Sequence, residues 1–215
     1  MVGLTVQGLL ESLYMTLGST LLAYIIGIPL GILLVITDKD GISPNRACNL
    51  ILGTIVNCLR SVPFLILMVA LVPFIRFIIG TSIGWKSATV ALVVASAPFV
   101  ARVVESSLKE VDKGIIEAAQ SMGATKFQII FKAMLPEAKP SLIVGAALSI
   151  TAILGYSAMA GIVGGGGLGA IAINYGYYRG DTEIMLVMIV ILILLVQLFQ
   201  GLGNLLARKC DKRIR

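Results

Sequence analysis

Few residues in this chain could do chemistry, and their spacing rules most reactions out. There is no histidine among the 215 residues, so imidazole catalysis, imidazole metal ligation and histidine proton relays are excluded. Cys48, Cys58 and Cys210 stand apart with no C-x-x-C spacing, and no metal cage or disulfide framework reads from them. The expectation is no catalytic residue, no metal and no cofactor. Two stretches remain. One is charged, residues 107–136, and holds Glu117-Ala118-Ala119, Gly123 and Leu135-Pro136. The other is a glycine run from Gly161 to Gly169. The run lacks the Lys-Ser/Thr that ends a phosphate-binding loop, and no strand precedes it. It reads instead as an outer loop, a close helix packing or a moving gate, because glycine admits unusual backbone angles.

The elements that position these stretches are apolar. The chain is 58% hydrophobic and 13% charged, with a mean hydropathy of +0.99, against about 45–50% apolar and 25% charged in soluble domains. A soluble fold of this size has too much surface for so much apolar area. The expected class is therefore an all-α integral membrane protein. A spanning helix needs about 20 apolar residues, and five segments meet that length: 13–36, 50–74, 85–104, 141–163 and 184–207. Gly27 and Gly31 beside Pro29 suggest a kink or a close helix contact in the first. The first twelve residues carry no Lys or Arg, so no cleaved leader is read there. The chain reads as a single domain over 1–215.

Charge bias orients the spans. With the N-terminus outside, the inner segments 37–49, 102–140 and 208–215 hold thirteen of the seventeen Lys/Arg. Outside stand only Arg76, Lys86 and Arg179, with Arg60 inside the second span. That asymmetry puts the C-terminus and the charged loop in the cytoplasm. The same clustering beside apolar segments explains the net charge of +6 without a nucleic-acid partner. Arg60 either snorkels to the cytoplasmic interface or pairs with an acid such as Glu105. Few other ionisable groups fall at mid-depth, so a proton-coupled carrier is disfavoured.

Locally, the loop reads as two short helices. Asp112 caps the first, Ile115, Ile116 and Ala119 share one side, and Gly123 ends it in the left-handed conformation. Thr125 and Gln128 form a capping box for the second. There Phe127, Ile130, Phe131 and Met134 make an amphipathic stripe that Pro136 stops. Ala118 and Ala119 leave room for another surface beside Glu117. Such a hairpin suits either a lipid headgroup layer or a docking partner. In the fourth span Tyr156, Ser157 and Met159 are candidates for lining a pathway, though packing also accounts for them.

The order Glu117-Ala118-Ala119, three residues, Gly123, nine residues, then Ala133-Met134-Leu135-Pro136 resembles the EAA loop of ABC-importer permeases. One position departs: Ala133 stands where the pattern prefers isoleucine. Gly155 to Gly161 with the Gly166–Gly169 end, Arg60 to Phe64, and Ala97 to Arg102 resemble the permease subunit of bacterial methionine importers. The resemblance implies a type I importer fold in the bacterial cytoplasmic (inner) membrane. It also implies a homodimer of this chain, two ABC ATPase subunits that bind the ATP, and a substrate-binding lipoprotein or periplasmic protein. Glu117, Ala118, Ala119, Gly123, Leu135 and Pro136 are then the ATPase-coupling residues, and the chain itself is not an enzyme. An importer for another amino acid or a small peptide remains the nearest alternative. A secondary transporter would need ion-binding groups or internal repeats, neither of which is present.

Overall fold

Small residues set the central contact of the fold. In the computed structural model, which describes residues 2–210, α1 (Val2–Ile36) and α5 (Trp85–Lys109) lie side by side. A Cβ on Gly27 would stand 2.6 Å from Val100, and one on Gly31 would stand 2.7 Å from Val104 and from the Ala101 carbonyl. The glycines therefore serve close helix approach, as at membrane helix interfaces. The register advances in step, 27 to 100 and 31 to 104, so the two helices run parallel. Pro29 and Pro98 are both carried inside their helices without a break.

α1 starts eleven residues before the span expected from the sequence. At 1.5 Å per residue it is about 50 Å long, well over a hydrocarbon core of about 30 Å. Hydropathy marks what can sit in lipid, whereas the helix continues as long as its backbone bonds do.

The second expected span, 50–74, is not one helix. α2 (Arg46–Ser61) and α3 (Phe64–Ala70) meet at a bend of 101°, and α4 (Val72–Ile79) follows after Leu71. Pro63 explains the break. It has no N–H to donate, and it forces the preceding Val62 out of helical angles, observed at φ −82° and ψ 124°.

The charged loop holds α6 (Lys113–Ser121), α7 (Lys126–Gln128), a π-helical stretch Ile129–Met134 and α8 (Leu135–Glu137). α9 (Lys139–Ala160) then returns to the far end, where a 3-10 turn Gly161–Val163 and α10 (Gly167–Ile171) lead into a second π-helical stretch, Ala172–Tyr177. α11 (Thr182–Cys210) closes the described chain. Lys212, Arg213 and Arg215, counted in the charge bias, lie outside the described residues. α1, α5, α9 with its 3-10 extension, and α11 are each long and apolar enough to cross a membrane, and the bent α2–α3 pair passes the same test when taken together. No strand occurs among the described residues.

Three apolar clusters divide the interior. At the loop end, Val100, Val104 and Leu108 of α5 pack with Ile129, Ile130 and Met134 of the loop. In the middle, Met15, Leu92 and Ile153 surround Phe64 and Met68 of α3. At the far end, Leu168 and Ile171 of α10 pack on Ile184 and Met188 of α11. Along most of α11, leucine and isoleucine are exposed, as on a surface that lipid covers.

Candidate functional site

The loop builds its first helix from its own residues. Asp112 Oδ1 accepts from the Gly114 N–H at 2.6 Å, capping α6. At the other end Gly123 takes φ +76°. Its N–H bonds to the Gln120 carbonyl at 2.9 Å, and the Ala124 N–H bonds to the Ala119 carbonyl at 3.1 Å. This pair of bonds is a complete Schellman ending. Nothing lies within 4 Å of where a Gly123 Cβ would be, so glycine is required by the backbone angle and not by space. Thr125 and Gln128 then form both halves of a capping box, at 3.3 and 2.9 Å.

The second helix departs from its expected stripe. Ile129, Ile130 and Met134 are buried, while Phe127 and Phe131 face out with ring centroids 4.2 Å apart. The π-helical turn is the reason: its wider winding changes which side chains share a face. Pro136 does not stop the helix either. The Leu135 N–H already reaches back to the Ile130 carbonyl, and Pro136 sits in the first turn of α8, where its missing donor costs little. A single turn residue, Ala138, separates α8 from α9.

Of the six coupling candidates, Glu117, Ala118, Gly123 and Pro136 are exposed, Leu135 is half-buried and Ala119 is buried at 9% exposure. Ala119 therefore packs inward with Ile116 against the core, and only Ala118 presents the small outer patch. Ile115, expected on the inner side, is partly turned out. On the same loop Met122 is 81% and Phe127 67% exposed. Large apolar side chains held outward on a charged loop mark a binding surface more readily than a solvated turn.

The loop is tied to the turn between α1 and α2. Lys126 Nζ donates to Ser43 Oγ at 2.9 Å, and Lys109 Nζ lies 2.7 Å from Asp38 Oδ2. The Lys109 hydrogen bond holds the Asp38 carboxyl below the usual carboxylate range. Glu105 pairs with Arg102 and Lys109 and not with Arg60, which is exposed. The i, i+3, i+7 spacing of Arg102, Glu105 and Lys109 was visible in the sequence; their meeting with Asp38 was not.

The pathway candidates separate. Tyr156 is half-buried and stacks on Phe64 with centroids 5.1 Å apart. Ser157 is buried, its hydroxyl donating to the Leu154 carbonyl at 2.8 Å. Met159 is exposed.

The glycine run is packed, not loose. A Cβ on Gly165 would stand 2.7 Å from the Ala160 carbonyl, and Cβ atoms on Gly161 and Gly169 would strike the Ala170 and Ala158 backbones. Glu11 Oε2 accepts from the Gly167 N–H at 2.8 Å and Ser12 Oγ from the Leu168 N–H at 2.9 Å. Sequence reasoning missed both residues.

Residues 12–212 match the family described as "Binding-protein-dependent transport system inner membrane component". The "Probable D-methionine transport system permease protein MetI" of Vibrio cholerae is 49% identical over 203 residues, 94% of this chain and 90% of that protein. The "Methionine import system permease protein MetP" of Bacillus subtilis is 46% identical over 181 residues, 84% of this chain and 82% of its own. A solved structure of "Inward facing conformations of the MetNI methionine ABC transporter" superposes with a TM-score of 0.97 at 44% identity, covering 99% of this chain and 98% of that one. An amino acid ABC transporter crystallised with histidines shares the fold, with a TM-score of 0.74 at 23% identity.

Proposed function

The chain belongs to the family of binding-protein-dependent transport system inner membrane components, and from that premise we propose that it is the transmembrane permease subunit of an ATP-driven methionine importer. Relatives carrying methionine-transport names across nearly the whole chain support the substrate. It sits in the bacterial inner membrane with five spans, the fifth being the bent α2–α3 pair. The N-terminus lies outside and the loop inside, as the Lys/Arg asymmetry requires.

The loop takes the role of coupling element to an ABC ATPase. The observation that carries this is the outward set Ile115, Met122 and Phe127, held on a frame whose other side is anchored in the core. Water would be a poor neighbour for those side chains, and a partner's groove removes them from it. Glu117 and Ala118 share the surface; Ala119, Gly123, Leu135 and Pro136 set its shape. Two copies of this chain, two ATPase subunits and a substrate-binding lipoprotein or periplasmic protein complete the assembly. ATP is bound and hydrolysed by the ATPase, so this chain needs no catalytic residue or cofactor of its own. Alternating access follows: ATP draws the ATPases together, the loops move with them, and the differential contact energy of the two states shifts the spans between inward and outward. The likeness to an inward-facing relative supports reading the packed glycine end as the closed outer side.

Reconstitution with the ATPase and binding protein tests this reading through ATP-dependent uptake across labelled amino acids. Methionine accumulates, and Met122→Ser with Phe127→Ser weakens ATPase copurification. Accumulation of another amino acid in place of methionine sinks the substrate; uptake without any ATPase sinks the class.

A further inference from the structure

α2 is poorly held by packing. It buries a single side chain, Val56, yet it leads directly into the bend that sets α3. Its base is fixed by Asn49 Nδ2, which donates to the Leu34 carbonyl at 2.8 Å and to Thr37 Oγ1 at 3.2 Å. Nearer the bend the hold is polar and comes from α5. Arg102 Nη2 donates to Asn57 Oδ1 at 2.8 Å and to the Gly53 carbonyl at 3.3 Å.

That arginine is one end of a ladder. Its Nη1 lies 2.5 Å from Glu105 Oε2, Glu105 Oε1 lies 2.9 Å from Lys109 Nζ, and Lys109 Nζ lies 2.7 Å from Asp38 Oδ2. The Glu105 side chain is only 10% exposed, so losing its cationic partners would leave a largely buried carboxylate unpaired. The ladder joins three elements: α2 before its bend, α5, and the turn after α1. α5 then runs through Glu110–Asp112 into α6, the first helix of the coupling loop. Past the bend, Phe64 opens α3 and stacks on Tyr156 of α9.

We propose that Arg102, Glu105, Lys109 and Asp38 are positioning residues that clamp α2 and its bend to α5, so that movement of the coupling loop is delivered to Phe64 and Tyr156. The inference rests on the importer reading above. One arm of the arginine fork, Nη1, holds Glu105 while the other, Nη2, reaches Asn57 and Gly53 on α2, a two-sided reach that the single ammonium of a lysine does not reproduce. The partly buried charges keep the link strong at cellular salt. Without the clamp the loop still docks, and the ATPase still turns over, but α2 lags behind α5.

The test is labelled-methionine uptake per ATP hydrolysed in proteoliposomes holding this chain, its ATPase and its binding protein. Wild type that fails to import methionine overturns the importer reading, and the inference with it. Given importing wild type, Glu105→Gln and Arg102→Lys should lower uptake per ATP at least about fivefold while hydrolysis persists. Asp38→Asn and Lys109→Gln should each lower it, and the double variant should fall no further than the worse single one, as for one shared link. Asp40→Asn, 3.9 Å from Lys113 on the exposed rim, should leave the ratio unchanged. Unchanged ratios in Glu105→Gln and Arg102→Lys overturn the clamp. If those variants do not assemble, Asn57→Ala decides: it is exposed and removes only an acceptor on α2. A drop of about twofold supports the clamp, and a wild-type ratio overturns it.

Discussion

The charged loop and the glycine-rich segment at the opposite end are built from similar parts. Each has a left-handed glycine, a short α-helix and six residues of π-helix. They differ in where their polar backbone groups find partners. The loop satisfies its helix ends locally, with Asp112, Thr125 and Gln128 within three residues of the groups they cap. The glycine-rich segment relies on Glu11 and Ser12, 156 residues away in sequence. The loop also keeps an outward apolar face, whereas the glycines press backbone against backbone. A locally capped element can be displaced by a partner without unravelling. A remotely capped one is bound into the body of the protein.

That contrast breaks most sharply at the glycines. Gly169→Val places side-chain atoms against the Ala158 backbone, and overpacking of about 1–3 kcal/mol or more is expected. The outcome is little or no monodisperse protein on size exclusion; a normal yield would show that the far end is loose. Gly123→Val meets empty space and suffers only from its positive φ, a cost of about 1–2 kcal/mol or somewhat more for a β-branched residue. It should assemble with the ATPase yet lose coupling, read as uptake per ATP. Normal uptake would mean that the turn does not set the docking geometry.

The caps sharpen the comparison at smaller scale. Glu11→Ala leaves the Gly167 N–H without its acceptor, at a cost of about 1–3 kcal/mol, and should lower the melting temperature of the whole protein by several degrees. Asp112→Ala costs about 1 kcal/mol but only frays α6, visible as faster amide exchange there with an unchanged melt. Equal effects on the melt would erase the distinction. The smallest effect is on acid stability. The lowered pKa of Asp38 gives stability that is complete above the ordinary carboxylate value of about 4 and is lost as pH falls through the depressed folded value. A melt series from pH 8 to 3 should therefore be flat down to about 5, with the wild type's acid-side loss reduced in Asp38→Asn.

Much of the loop was legible because its signals are short-range. A cap acts on N–H groups two or three residues on, and a left-handed glycine is required by its own φ, so residue types at fixed spacing suffice. The stripe joining Phe127 and Phe131 to Ile130 and Met134 failed because the sequence carries no mark of a π-helical turn, and a wider winding from Ile129 onward changes which residues share a face. Of the two alanines read as leaving room for another surface, Ala119 packs inward with Ile116, because two neighbouring alanines on a helix cannot both face out. The second span was legible as an apolar stretch, but its 101° bend was not, because hydropathy averages over a proline, Pro63, that the backbone cannot ignore.

The sequence by itself determined that this is a helical membrane protein with a charged, locally capped helical loop. Burial of apolar residues and local capping are read residue by residue. Only the tertiary structure decided that Glu11 and Ser12 hold the glycine end, that Gly27 and Gly31 seat α1 on α5, and that Arg102 grips α2. Those contacts join residues from 70 to more than 150 positions apart, apart from the Arg102 grip at 45 and 49. Which pairs meet at such separations follows from how the helices pack, and a linear spacing does not encode it.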